Sequence, residues 1–245
     1  MSHGYGEDAL VKQAAVELLG GLGWETVDAY GEFGRPDADG RSALGRETEA
    51  EVVLTARLRP ALLRLNPDAS EQAVDLALEE IVRDRSLMSP AAANREVYGL
   101  LKDGVRVTVP ALEDDGETVE RVQVIDWNDP ANNDFLLCSE FRVAGEMYRC
   151  RADLLGFVNG LPLLFVELKA AHRRLELAFD DNLSHYKEEI PQLFWFNTTT
   201  SRATWEFLRV SAASTWFQRR PRSCTHDGAS SGAGISVWST AARRV

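Results

Sequence analysis

The chain reads as an α+β protein in which helices pack on a mixed β-sheet, and three features of the sequence predict it. Apolar residues recur at helical spacing over about the first hundred residues. From about residue 105 the apolar period shortens to two and holds to residue 169, after which helical spacing returns over 173–189.

In order along the chain, residues 7–22 predict an amphipathic helix, with Leu10, Ala14, Leu18 and Leu22 on one stripe and Gly20, Gly21 and Gly23 ending it. A second helix is expected over 47–65, with Val53, Leu54, Leu58 and Leu62 on one side and Pro60 kinking or dividing it. Asn66-Pro67-Asp68 makes a turn, and Asp68 with Glu71 forms a candidate N-cap pair. The helix it opens places Val74, Leu78, Ile81 and Val82 together, and a shorter one around 94–101 stops at Asp103-Gly104. Val105, Val107 and Val109 then alternate with polar residues. A strand at 119–126 follows the turn Asp114-Asp115-Gly116, and another lies near 134–143. Runs at 147–158 and 161–169 flank Asn159-Gly160, a strong hairpin signal because both residues tolerate positive φ. A last helix over 173–189 stops at Pro191.

Formal net charge is −11, and its distribution matters more than its sum. Residues 1–197 carry 20 basic and 36 acidic side chains, whereas 198–245 carry seven arginines against Glu206 and Asp227. So acidic a domain cannot hold a polyanion through general electrostatics, because that binding depends on neutralising phosphates. Any nucleic-acid substrate has to be delivered by something else. No run approaches the length of a membrane span, and the N-terminus lacks the basic and apolar regions of a signal peptide. Cys138, Cys150 and Cys224 are odd in number and lack metal-ligand spacing, which suits a reducing cytoplasm.

The chemistry concentrates in Leu163-Leu164-Phe165-Val166-Glu167-Leu168-Lys169. Alternation puts Glu167 and Lys169 on one face of the strand, and a charged pair ending an apolar strand is costly unless paired or hydrated. The hairpin partner carries Asp153, which folding across Asn159-Gly160 brings towards Glu167. Two carboxylates and a lysine suit phosphodiester hydrolysis. Hard oxygens bind Mg²⁺, and a lysine can orient water or offset developing charge. The same spacing also arises in a surface Glu–Lys pair that merely ends a strand. His172 and His185 flank the site and read as solvated or packing residues. Cys224-Thr225-His226 lacks the second pair that a four-ligand metal site needs.

The order of short motifs adds a family. Leu65-Asn66-Pro67, Asn94-Arg95, Asp103-Gly104-Val105, Ile125-Asp126-Trp127 and Asn132-Asn133-Asp134-Phe135 come first. Arg151-Ala152-Asp153, Val158-Asn159-Gly160-Leu161-Pro162, Val166-Glu167-Leu168-Lys169, Tyr186-Lys187 and Ile190-Pro191-Gln192-Leu193-Phe194 follow. In this series the chain resembles, from about residue 7 to 197, the N-terminal nuclease domain of the restriction (R) subunit of type I restriction–modification enzymes. The resemblance implies a restriction-endonuclease-like core of the PD-(D/E)xK kind. In it Asp153 and Glu167 bind Mg²⁺, Lys169 assists the attacking water, and Asn182 with Tyr186 supports the site or contacts DNA from the next helix. It departs from the family at Ala152, where proline is usual; at Asn182, where glutamine is usual; and at Lys12, where the first helix often carries a glutamate. Glu7 or Glu17 are the substitutes for that glutamate.

The implied partners are duplex DNA and the methyltransferase and specificity subunits, with ATP acting only through motor domains. The chain has no G-x-x-x-x-G-K-[ST] loop and no Gly-Lys dipeptide. Residues 1–197 are therefore expected to form the nuclease domain. In 198–245, Ser, Thr, Ala and Arg supply 29 of 48 residues without a lasting period, so the segment reads as an aberrant, disordered tail. The expected function is Mg²⁺-dependent cleavage of duplex DNA in restriction of foreign DNA. The alternative is a catalytically weak or inactive truncated remnant that only docks on other subunits.

Overall fold

The computed structural model describes residues 7–34, 42–110, 116–145, 147–168, 184–196 and 199–203, with the side chains of 7–11, 167–168, 184–185 and 199–203 excepted. The first helix, α1 (Glu7–Gly21), leads into strand β1 (Glu25–Asp28). Three helices follow, α2 (Thr55–Leu65), α3 (Glu71–Val82) and α4 (Pro90–Asp103). Strands β2 (Val105–Pro110) and β3 (Glu117–Val122) form a separate antiparallel pair. The main sheet is completed by β4 (Phe135–Ala144), β5 (Arg149–Val158), β6 (Leu161–Leu168) and β7 (Thr199–Ala203), with α5 (Ser184–Glu189) and α6 (Pro191–Phe196) between β6 and β7. Its order is β1-β4-β5-β6-β7. The central pairs β4–β5 and β5–β6 are antiparallel and both edges are parallel, so the sheet is mixed, as expected.

Each sheet face has its own cover. Ala15 and Leu19 of α1 bury against Leu137, Leu154 and Val166. The buried stripe is thus one residue on from the expected one, and Leu22 lies beyond the helix in solvent. Leu136, Cys138, Leu155, Phe157 and Phe165 face the larger core, which α2, α3 and α4 complete with Leu58, Leu62, Val74, Ile81 and Val97. Burying one such aliphatic or aromatic side chain contributes about 1.5–3 kcal/mol, so this core supplies most of the drive to fold.

Several expectations are corrected. Residues 47–54 are not helical, because other partners hold their polar groups. The Glu51 carboxylate accepts from the Thr48 amide at 2.9 Å, its carbonyl accepts from Arg46 Nη1 at 2.9 Å, and Leu54 N donates to Gly160 O at 2.9 Å. Pro60 sits inside α2 rather than dividing it. Ser70, not Asp68, caps α3, accepting from Ala73 N at 3.1 Å. Val82 is exposed, while Ala73 and Ala77 take its place in the core. Helix α4 begins earlier than expected because Ser89 caps it with Pro90 in the first turn. Pro191 opens α6 directly after α5. Five residues of the expected tail form β7, parallel to β6, and 204–245 lie outside the described residues.

Arg46 fixes the loop before α2 to the sheet. Its guanidinium is buried in an ion pair with Glu32, donates to Arg142 O at 3.1 Å, and lies 4.0 Å from the centre of the Phe141 ring. At the other end of β5, Asn159 and Gly160 have φ of 52° and 81°, the left-handed turn expected of this pair. The Asn159 amide is fully buried. It accepts from Asp134 N at 2.8 Å and donates to Val124 O and Asn133 Oδ1, each at 2.9 Å. Among the described residues no helix is long and apolar enough to cross a membrane.

Candidate active site

The hairpin β5–β6 sets which residues face each other, and one irregularity decides it. Val158 pairs with Leu161 and Phe157 with Pro162, as a two-residue turn dictates. Continued unchanged, that register would set Asp153 opposite Val166. Instead Gly156 pairs with Leu164, so Leu163 is an extra residue on β6, and Leu154 pairs with Val166. The pairing of β5 with β6 ends there, and one further step in the same register would bring Asp153 level with Glu167. A one-residue slip exchanges the faces of a strand. The bulge thus takes Val166 away from Asp153 and pairs it with Leu154.

Asp153 is half-buried. The backbone of Glu167 pairs with Arg202 of β7. Tyr186 of α5 comes to the same end of the sheet. Its ring meets Phe165 edge-on, with centroids 5.6 Å apart and an interplanar angle of 73°, and its hydroxyl donates to Arg151 O at 3.3 Å, two residues before Asp153. Helix α5 can sit this close because Gly145 lacks a side chain: a Cβ there would lie 2.0 Å from Glu189 O. Gln192 Nε2 adds a bond to Ala144 O at 3.0 Å. Asp153, Tyr186 and the backbone of Glu167 are therefore brought together. Lys169, Asn182, His172, Cys224 and His226 lie outside the described residues, and so do the side chains of His185 and Glu7.

One neighbour was missed by the sequence reading. Glu140 on β4 lies between Ser139, which pairs with Leu154, and Phe141, which pairs with Ala152, and so stands opposite Asp153. Its φ is 57°, a left-handed conformation unusual for glutamate. One carboxylate oxygen pairs with Lys12 of α1 and the other forms an ion pair with Arg151 Nε at 2.8 Å. The one signal available in advance was a single acid set between the apolar run Leu136-Leu137-Cys138 and Phe141. Lys12, where a glutamate was expected, thus meets an acid supplied by the sheet. Glu17 instead accepts from Gln13 at 2.9 Å on the exposed side of α1.

A carboxylate such as that of Asp153 offers hard oxygen donors of the kind Mg²⁺ prefers, and the ion ordinarily keeps several waters beside only one or two carboxylates. The donor set therefore fits that ion, although no group of three His, Cys, Asp or Glu able to hold a metal occurs among the described residues. Neither described cysteine offers a thiolate. Burial pushes the Cys138 thiol up to about 12, and Cys150 is raised by burial and by Glu189.

Residues 4–218 match the family described as the type I restriction enzyme R protein N terminus. The matched stretch runs past residue 197, where the sequence reading drew its boundary. The chain is 32% identical over 213 residues to the type I restriction enzyme HindI endonuclease subunit of Haemophilus influenzae, covering 85% of this chain and 19% of that protein. It is 28% identical over 205 residues to a putative type I restriction enzyme MjaIXP endonuclease subunit of Methanocaldococcus jannaschii, covering 78% of this chain and 18% of that protein. The chain thus spans about a fifth of the length of these relatives. With the mixed sheet, the ordered motifs and this match in accord, the chain belongs to the family of type I restriction enzyme R protein N termini.

Proposed function

We propose that this chain is the DNA-cleaving domain of a type I restriction R subunit and hydrolyses phosphodiester bonds of duplex DNA with Mg²⁺. What supports the reading is the bulged register of β5 and β6, in which one step beyond the Leu154–Val166 pair would bring Asp153 level with Glu167. Their carboxylates hold the ion. When bound, it eases deprotonation of a water and offsets charge on the phosphate. Lys169, two residues beyond Glu167 in the sequence, orients the attacking water and meets the charge that builds on the phosphoryl oxygens. Tyr186 holds the Arg151 carbonyl and so fixes the strand carrying Asp153. Asn182, four residues before Tyr186 in the sequence, supports the site or contacts DNA. The methyltransferase and specificity subunits and an ATP-driven motor deliver the DNA.

A second reading has specific support. Lys12 and Asn182 replace an acid and a longer amide, which favours a chain that keeps the fold and docks on other subunits without cutting. The test is nicking of supercoiled plasmid with Mg²⁺ or Mn²⁺ by the purified chain, beside Asp153→Ala, Glu167→Gln and Lys169→Ala. Metal-dependent nicking that falls at least a hundred-fold in each variant is expected, in line with loss of about 3 kcal/mol of transition-state stabilisation. Folded wild type that nicks no faster than its variants, even when brought to DNA, would leave only the docking reading.

A further inference from the structure

We infer that Lys12, Glu140 and Arg151 form a preset clamp for a DNA phosphate beside the acidic pair, in which Glu140 is the positioning residue and Arg151 the phosphate contact. The inference rests on the proposed nuclease reading for its substrate, and on geometry for its parts. Three elements meet here: α1 supplies Lys12, β4 Glu140 and β5 Arg151. Glu140 spends each carboxylate oxygen on a different cation, so it is engaged on both sides and the trio carries a net charge of one positive.

Its backbone points the same way. A left-handed glutamate in the middle of a strand is a strained choice that persists only where the surroundings hold it, and such residues gather at functional sites. The side chain of Glu140 is 14% exposed while that of Arg151 is 52% exposed. The anchor is therefore inside and the cation is presented to solvent. Arg151 uses Nε for the anchor, and its Nη end has no ion pair among the described residues. A guanidinium paired with one largely buried acid and, among the described residues, with no second one is arranged to meet a phosphate oxygen pair. On β5 it stands two residues from Asp153, so a phosphate gripped there lies next to the carboxylates. In a domain this acidic, a local positive point is where a backbone phosphate can be received.

Removing the Glu140 carboxylate separates positioning from mere charge. It makes the domain one unit more positive, so a role in net charge alone predicts tighter DNA binding, and a role in positioning predicts weaker binding. Glu140→Gly is the variant of choice, since glycine adopts the observed φ without strain and folding is preserved. The measurement is anisotropy of a short labelled duplex at low salt with Ca²⁺, read as affinity and as its dependence on salt. The expected result is binding about ten-fold weaker in both Glu140→Gly and Arg151→Ala, with the salt slope lowered by about one in Arg151→Ala. Glu140→Gly binding as tightly as wild type or tighter, or a wild type with no detectable binding at low salt, overturns the clamp. The parent reading fails separately. Nicking that is lost in Asp153→Ala, with unchanged affinity in Glu140→Gly, keeps the nuclease and removes the clamp. Affinity that falls as expected, in a protein that never nicks, keeps the clamp and removes the nuclease.

Discussion

Asn159 carries two separate demands, a left-handed backbone and a fully buried amide with three hydrogen bonds. Through Asn133 the amide reaches the Asp126 loop, where Asn133 Oδ1 accepts from Asp126 N at 2.9 Å. The Asp126 carboxyl lies below the usual range because the Asn132 amide and backbone N–H groups of that loop bond to it. Asn159→Ala loses both contributions and is expected to destabilise the protein by roughly 2–4 kcal/mol. Asn159→Gly keeps the backbone and loses the amide, so it should recover about 1 kcal/mol of that. Urea unfolding of the two variants checks the difference; equal losses would mean that the left-handed turn contributes nothing. Gly160 is held more strictly still, because a Cβ would lie 2.5 Å from Leu54 O, the carbonyl that opens α2. The Asn-Gly turn therefore fixes where α2 meets the sheet as well as where the chain reverses.

The register of β5 and β6 is the feature on which the proposed chemistry depends, and it can be tested without activity. With Cys224 replaced by serine, cysteines at Asp153 and Glu167 should cross-link under mild oxidation, because paired residues on adjacent strands come within reach of a disulfide. Cysteines at Asp153 and Val166 should not, since they point to opposite faces. Cross-linking measured by mass spectrometry decides it, and preference for the Val166 pair would mean a register without the bulge. Cys138 and Cys150 are poor competitors, both being buried with thiols held protonated. The sequence disclosed the hairpin through alternation and its Asn-Gly turn, and it named Asp153 and Glu167. It did not disclose the bulge, because Leu163 is as apolar as its neighbours and alternation alone does not mark the extra residue. Nor did it disclose Glu140, whose partners lie 128 residues away in Lys12 and on the next strand in Arg151. Residues 47–54 were misread for a related reason. Their apolar residues are buried, but Arg46 and Gly160 take backbone groups that a helix needs. Strand β7 escaped because its polar residues, Thr199 to Ala203, carry no apolar alternation, and pairing with β6 rather than local pattern makes it a strand.

Charge decides how such a site can meet its substrate. With a net of −11 the whole chain repels a polyanion, and a local positive point beside the acids supplies a contact rather than a binding face. Non-specific DNA binding weakens steeply with salt in proportion to the phosphates neutralised, so a few contacts give little affinity under physiological conditions. The chemistry can nevertheless be complete if proximity comes from elsewhere, because tethering replaces affinity with effective concentration, in the millimolar range for short flexible linkers. Fusion of the chain through a flexible linker to a sequence-specific DNA-binding module should therefore raise Mg²⁺-dependent nicking by at least ten-fold over the free chain. The nicks should cluster within linker reach of the module's site. The same fusion carrying Asp153→Ala should bind equally well and not cut. Nicking that is equally weak with and without the tether would place the defect in the centre itself rather than in delivery. That result would turn the replacements at Lys12 and Asn182 from local variations into the reason for inactivity.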